Sequence, residues 1–362
     1  LYEEPILRLP DQNTSGYNAY HVKPLEGSAY VQNVFEYDDI IVNAGLRYDY
    51  WDPNALLPVN LRAKTDTDNG IRLDSELEAG VARSQLSPRF GLAYPISDNG
   101  AIHVSYGHFF QLPRFNAIYN NYEYEIKLGG LQTTMGNVNL KPEKTIGYEI
   151  GIQQQLSLVY GLELTMYYKD ISNLLSQEII STIDEKVYAR YINRDYGNVR
   201  GITFTLNKLY SDLFSGSIDY TYQTAKGNAS DPNAVFNDYN DNKEVEKQVL
   251  PLDWDQTHTL NTSLSIGKPG GVKVGLIGRF ATGQPYTPSS PGSALDTQFE
   301  NSDRKPASYN FDLNLYKTVR FDKVKMKLYC KIFNLTDQLN QRYVFSSTGN
   351  SESPYRTIPA AY

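Results

Sequence analysis

Four histidines, His21, His103, His108 and His258, are the first residues to weigh for metal binding or proton transfer. No two stand at the spacing of a zinc-binding helix, and His103 and His108 fall at different heights of one extended segment, so they are not expected to meet at one ion. A hydrolase needs a nucleophile, a base and an orienting group in mutual reach. Ser105 beside His103 comes nearest, and it is set aside on the expectation that strand neighbours point to opposite faces. The acidic run DYNDN at 238–242, with Asp231 and Asn237 upstream, offers oxygens to calcium but lacks the ordered spacing and glycine of an EF-hand loop. A hydrated loop is the expectation there and at DTDNG, residues 66–70. Cys330 is the single cysteine, which leaves no intramolecular disulfide and no cysteine metal cluster. No catalytic residue, metal site or cofactor is therefore expected.

Binding chemistry is richer. Arg114, Phe115, Tyr119, Tyr122 and Tyr124 crowd one polar stretch, and Trp254 and Tyr286 lie in two others. Aromatic faces beside a few polar groups suit solutes as different as iron chelates, sugars and cofactors. The same rings would serve equally well to pack the loops on one another.

The elements that position these residues are extended. Reading for a period of two yields about twelve segments of about ten residues, the length a tilted membrane strand requires. Val42, Ala44, Leu46 and Tyr48 interleave with Asn43, Gly45, Arg47 and Asp49. Ile146, Tyr148, Ile150 and Ile152 interleave with Gly147, Glu149, Gly151 and Gln153, and Leu162, Leu164, Met166 and Tyr168 with Glu163, Thr165, Tyr167 and Lys169. Ile218, Tyr220 and Tyr222 oppose Asp219 and its neighbours, and Val324, Met326 and Leu328 oppose Lys325 and Lys327. This alternation gives each segment one face for hydrocarbon and one for water. Arg47, Asp49, His103, Glu149, Glu163, Lys169, Asp219, Asp312 and Lys325 are assigned to the polar face lining a lumen.

A soluble sandwich would alternate too, so connection lengths must decide. Short turns are predicted at Asp38-Asp39, at Ser97 to Gly100, around Ser157 and Asp212, at Lys268-Pro269-Gly270 and around Phe321. Long polar stretches, roughly 51–85, 112–142, 172–197, 225–254 and 283–306, fall between them. Short and long connections alternate, as in outer-membrane barrels with tight periplasmic turns and long external loops. Tyr50, Trp51, Tyr106, Phe109, Phe110, Tyr168 and Tyr222 cluster at strand ends leading into long loops and are assigned to an outer aromatic girdle.

The chain has 362 residues and a net charge of −7, with a sequence pI near 5.3 and mean hydropathy −0.48. The basic footprint of a nucleic-acid binder is missing, so nucleic acid is not an expected partner. No apolar run approaches the ~20 residues of a membrane helix. Tyr, at 30, outnumbers Phe at 14 and Trp at 2 together, which suits rings held in lipid with hydroxyls in water. Residues 1–27 show no signal peptide, so either the protein is not exported or its true beginning is absent. Strand parity predicts an incomplete barrel, with at least one strand lacking at each end, and SPYRTIPAAY reads as the approach to a final descending strand.

Several stretches resemble the barrel of TonB-dependent outer-membrane receptors: SAYVQNVFEY (28–37), NAGLRYDYWDPN (43–54), LSPRFGLAYPI (86–96), GHFFQLPRFNAIYNN (107–121), NLKPEKTIGYEIG (139–151), LPLDWDQTHTLN (250–261), ATGQPYTP (281–288) and FNLTDQLN (333–340). They are most similar to receptors with a carboxypeptidase-regulatory-like N-terminal extension. In that family Pro142 and Glu143 would mark a strand entrance, and Asn334, Leu335 and Asp337 a strand exit, all architectural. The resemblance implies an all-β antiparallel transmembrane barrel of about 22 strands, of which residues 1–362 hold about twelve, with the plug domain and final strand outside the sequence. It further implies TonB-energised uptake of a scarce solute such as siderophore-iron, a corrinoid, a glycan or a peptide. Its partners would be outer-membrane lipid and lipopolysaccharide, the TonB complex through the plug, and the solute itself. A passive channel or surface adhesin on a similar barrel, and a soluble β-protein binding a partner, are the alternatives.

Overall fold

The computed structural model describes residues 18–66, 72–127, 129–228, 231–242, 248–268, 270–289, 300–322 and 324–352. Twelve long strands carry the fold: β1 (Leu25–Tyr37), β2 (Ile40–Asp52), β3 (Arg83–Ser97), β4 (Gly100–Gln111), β5 (Glu143–Gln155), β6 (Tyr160–Ser181), β7 (Val187–Ser211), β8 (Phe214–Gly227), β9 (His258–Ile266), β10 (Val272–Ala281), β11 (Ser308–Phe321) and β12 (Val324–Ile332). Each pairs with the next in chain order, and with the short Thr134–Met135 and Leu250–Pro251 they form one sheet of fourteen strands. Every long pairing is antiparallel. Among the described residues the path is open, with β1 and β12 as its edges. SPYRTIPAAY, read as the approach to a final strand, lies outside the described residues.

Cross-strand partners share a face, so the register sorts side chains across the whole sheet. Leu46, Phe90, Val104, Ile150, Met166 and Ile202 fall on one side. This side is apolar yet uncovered, with Ile150 48% and Met166 48% exposed. Arg47, Arg89, Glu149, Lys169, Thr203 and Asp219 fall on the other. A single cavity of about 1050 Å³ touches that polar side from β1 to β8, so the sheet curls around it. Polar groups line the concave face and hydrocarbon the convex one.

The short turns fall where the sequence places them, all at one end of the sheet. Asp38, Asp212 and Asp322 occupy the left-handed region in them, with φ of 48°, 48° and 47°, a conformation that aspartate tolerates better than most residues. Long segments occupy the opposite end, holding two short helices, α1 (Phe115–Tyr119) and α2 (Ala234–Asn240).

One long loop is not a loop. The stretch expected to be irregular at 172–197 continues β6 and β7 as a paired ribbon, 22 and 25 residues long, closed by a tip at 182–186. At about 3.3 Å per residue each strand of the ribbon is about twice as long as the roughly ten residues a tilted strand needs to cross hydrocarbon. Sequence alternation fails there because both faces are covered: neighbours Ser176 and Gln177 are both buried, as are Tyr188 and Ala189. The register shifts between Ile171 and Leu175, where Asn173 takes a φ of 61°. Asn193 meets the backbone groups around this bulge, donating to Asn173 O at 2.8 Å and Lys141 O at 2.9 Å.

The girdle assignment also needs correcting. Tyr106, Tyr148 and Tyr168 do form a convex-face row, with ring centroids 5.1 and 6.3 Å apart. Trp51 and Phe109 instead lie on the concave face, because each is one residue out of phase with the apolar positions. Trp51 is 4% exposed and stacks with Phe115 at 6.2 Å.

Ile150 tests which solvent covers the convex face. Ile150→Arg should destabilise the full-length protein refolded in lipid vesicles by about 2–4 kcal/mol, the cost of a cation near the bilayer midplane. Urea unfolding would measure this, and an unchanged midpoint would mean that hydrocarbon does not cover Ile150.

Candidate ligand site

The cavity on the concave face is shaped by what its wall lacks. One row of cross-strand neighbours runs Gly45, Arg89, Gly107, Gly147, Lys169, Val199. The next row toward the turns runs Asn43, Gly91, Ser105, Glu149, Tyr167, Gly201, Gln223. Glycine at four of these positions on β2 to β5 leaves a trough. Phe109 lies across it, since a Cβ at Gly107 would sit 3.1 Å from its ring and one at Gly147 3.7 Å. Tyr167 lies over Gly201 in the same manner and donates to Gln223 Oε1 at 2.8 Å. His103 covers Gly151. Flat rings keep the bore open while covering backbone that glycine exposes.

The charges are unevenly matched. Arg47 pairs with Asp49 at 2.8 Å, and His103 Nε2 lies 3.6 Å from Glu149 Oε1. Arg89 stands 5.0 Å over the Phe109 ring and Lys169 5.5 Å from that of Tyr167. Neither has a carboxylate within 4.0 Å among the described residues. The nine residues assigned to a lumen all register on this one face, but only Arg47, Glu149 and Lys169 line the cavity itself. The grounds for setting Ser105 aside were mistaken. Residues 103 and 105 are two apart and share the concave face, opposite Gly151 and Glu149. No hydrogen bond joins Ser105 to His103 among the described residues.

Above the cavity the loops form a packed body. Trp51, Ala55, Leu57, Ala117, Ile118, Tyr119, Val138 and Leu140 make one core, and Ala63, Leu73, Tyr124, Ile126, Met135, Ile180 and Tyr188 a second. Buried phenols tie the segments together: Tyr119 donates to Pro53 O at 2.8 Å, Tyr124 to Leu56 O at 2.5 Å and Tyr188 to Leu61 O at 2.6 Å. Burial pushes the Tyr119 phenol up to about 12 and raises the other two, so all three remain donors at any physiological pH. At the ribbon tip, Asp184 accepts from the Thr65 hydroxyl at 2.6 Å and the Thr182 hydroxyl at 2.7 Å. The Thr65 amide adds bonds at 3.2 and 3.3 Å. On the other side Arg304 reaches the buried Asp255 carboxylate and donates to Gly283 O at 3.1 Å, joining the last two long loops.

This body separates the seven loop residues chosen for ligand binding. Tyr119 is 0% exposed and Tyr124 9%, so both are packing residues, with no free hydroxyl for a solute. Tyr122 is half-buried and accepts from the Leu56 amide at 3.4 Å, and Tyr286 donates to Asp303 at 3.1 Å. Arg114 and Phe115 are exposed at the start of α1. Trp254 is 45% exposed and is the one that lines the cavity. Asp238 and Asn240 of the acidic run belong to α2, and Asp231 accepts from the Asn233 amide at 2.9 Å. Residues 67–70 of DTDNG lie outside the described residues. Sequence reasoning missed Arg89, Tyr167 and Gln223 at the cavity, and it missed Phe109 there although strict parity would have placed it inside.

A family model described as TonB dependent receptor-like, beta-barrel, matches residues 5–335. No curated protein matches the sequence. Solved structures with a similar fold include the ferric-catecholate import receptor Fiu of E. coli K12, at 16% identity over 87% of this chain and 41% of that one, TM-score 0.53. The outer membrane transporter YddB from Escherichia coli is similar at 11% identity over 87% and 50%, TM-score 0.58. The Serratia marcescens hemophore receptor HasR, in complex with its hemophore HasA and heme, is similar at 16% over 86% and 48%, TM-score 0.57. The chain thus spans half or less of the length of these structures, and at such identities the likeness establishes the fold alone.

Asp184 gives the loop body a pH signature. Hydrogen bonds from the Thr65 and Thr182 side chains hold its carboxyl at about 2, below the ordinary 3.8. A depressed carboxyl stabilises the clamp above about pH 4, and that contribution is lost as pH falls through about 2. The protection of the Thr65 amide, its exchange relative to the intrinsic rate at each pH, should fall across that window, and Asp184→Ala should remove that change in protection.

Proposed function

Because the chain belongs to the TonB-dependent receptor β-barrel family, we propose that the intact protein is an outer-membrane uptake receptor for a scarce solute, energised through TonB. One observation carries the reading: an uncovered apolar convex face and a polar concave face on the same strands, with long connections gathered at one end. A soluble protein would leave that apolar face in water at about 25 cal/mol per Å². In the outer membrane the same face meets lipid, and the tyrosine row meets the headgroups of lipid and lipopolysaccharide.

In the mechanism that follows, the loop body stays rigid on its two cores and leads a solute down to the cavity. Exposed Phe115 and Arg114 stand at its approach and Trp254 on its wall. A plug in the intact protein would fill the rest of the concave face and carry the contact with TonB. Similar structures are named for ferric catecholate, heme and copper. This range supports uptake of a metal chelate or cofactor-like solute among the wider choices of corrinoid, glycan or peptide. The proposal is transport without catalysis.

A deletion strain tested for uptake and growth on iron chelates, corrinoids and glycans should lose one class and regain it from a plasmid copy. The same loss should follow removal of TonB, and influx that persists without TonB would point to a passive channel instead. Once that solute is known, Trp254→Ala should raise its half-saturation about tenfold, equivalent to about 1.4 kcal/mol. Tyr119→Phe should leave half-saturation unchanged while lowering stability by about 1 kcal/mol.

A further inference from the structure

We propose that the trough between Arg89 and Lys169 is an anion subsite, taking a carboxylate, phosphate or phenolate group carried on a planar solute. The inference rests on the uptake reading and adds the chemical class of what is taken up.

Geometry makes the case. Arg89 and Lys169 occupy one register row, three strands apart, with only Gly107 and Gly147 between them. Strands lie about 4.8 Å apart, so the two Cα atoms are separated by roughly 14 Å. Two long side chains can reach a small anion across that gap above the one ring laid over the glycines, that of Phe109. The floor is aromatic: Phe109 lies across both glycines, and Arg89 is held over its ring at 5.0 Å. Tyr167 adds a flat surface on the Lys169 side, and Trp254 lines the same cavity.

Charge balance points the same way. The cavity is lined by Arg47, Arg89 and Lys169 against Glu149 alone. Arg47 is engaged by Asp49 and Glu149 faces His103. Arg89 and Lys169 then face Glu149 as the one carboxylate of the lining, and His103 beside it is charged only when protonated, so the wall keeps a net positive charge. A concave, low-dielectric wall focuses their field into the trough. A neutral or cationic solute would gain nothing from this pair.

Trp254 reports on the site. The probes are iodide, caesium and acrylamide, added to purified full-length protein in detergent, with Trp254→Phe subtracted to isolate the signal. At low salt, with each quenching constant divided by that of free N-acetyltryptophanamide, iodide should quench Trp254 at least about twofold more effectively than caesium, with acrylamide between them. The preference should fall to parity in Arg89→Gln/Lys169→Gln, and Lys169→Gln alone, at an exposed position, gives a second variant should the double one misfold. Equal quenching by iodide and caesium in the unmodified protein overturns the proposal, including the case in which a carboxylate elsewhere in the polypeptide already occupies the trough. Equal quenching with the deletion phenotype intact removes only the anion subsite. An iodide preference with no uptake phenotype supports the subsite and removes only the transport reading.

Discussion

Backbone amides and carbonyls must find hydrogen-bond partners wherever water is excluded, and this demand organises the whole chain. A ribbon that crosses hydrocarbon meets it by pairing with neighbours on both sides. Each of the ten inner long strands does so, in chain order and antiparallel. Side-chain alternation then follows without further choice, and one set of positions must suit lipid while the other suits water. Ile150 and Glu149 are adjacent in sequence and face different solvents for that reason alone.

The same constraint explains how the concave wall is built. Polar side chains on a curved inner face would crowd the bore, and the strands relieve this with glycine beneath flat rings. Phe109 over Gly107 and Gly147, Tyr167 over Gly201 and His103 over Gly151 repeat one solution at three places. Substituting these glycines would push the rings into the cavity, so the trough that separates Arg89 from Lys169 depends on residues with no side chain of their own. Binding chemistry here is a matter of what has been left out as much as of what is present.

Beyond the membrane the demand changes. The far half of the β6–β7 ribbon, the first two long segments and α1 bury Tyr119, Tyr188 and Ile126 in cores of their own. Their phenols donate to carbonyls of irregular segments, which have no ladder partner to accept from. Asp184 performs the complementary task, accepting from an amide and two hydroxyls at the ribbon tip. These bonds convert long connections into a rigid mouth, and rigidity is what allows a wall residue such as Trp254 to hold its place.

Strand number, turn positions and the face of most barrel residues were legible in the sequence, because alternation with a period of two is a local property that lipid on one side and water on the other enforce. Even Phe109 was legible, had parity been applied without regard to its aromatic neighbour Phe110. Above the rim the signal disappears. Ser176 and Gln177 are both buried, so the ribbon at 172–197 shows no contrast and reads as a loop. Tyr119 and Tyr124 resemble ligand contacts in composition, and only the packing of segments distant in sequence decided that their hydroxyls belong to Pro53 and Leu56. The trough was hidden for a related reason: Arg89 and Lys169 are far apart along the chain, and only register across three strand pairings sets them on one row, with two glycines between them and the Phe109 ring laid across both.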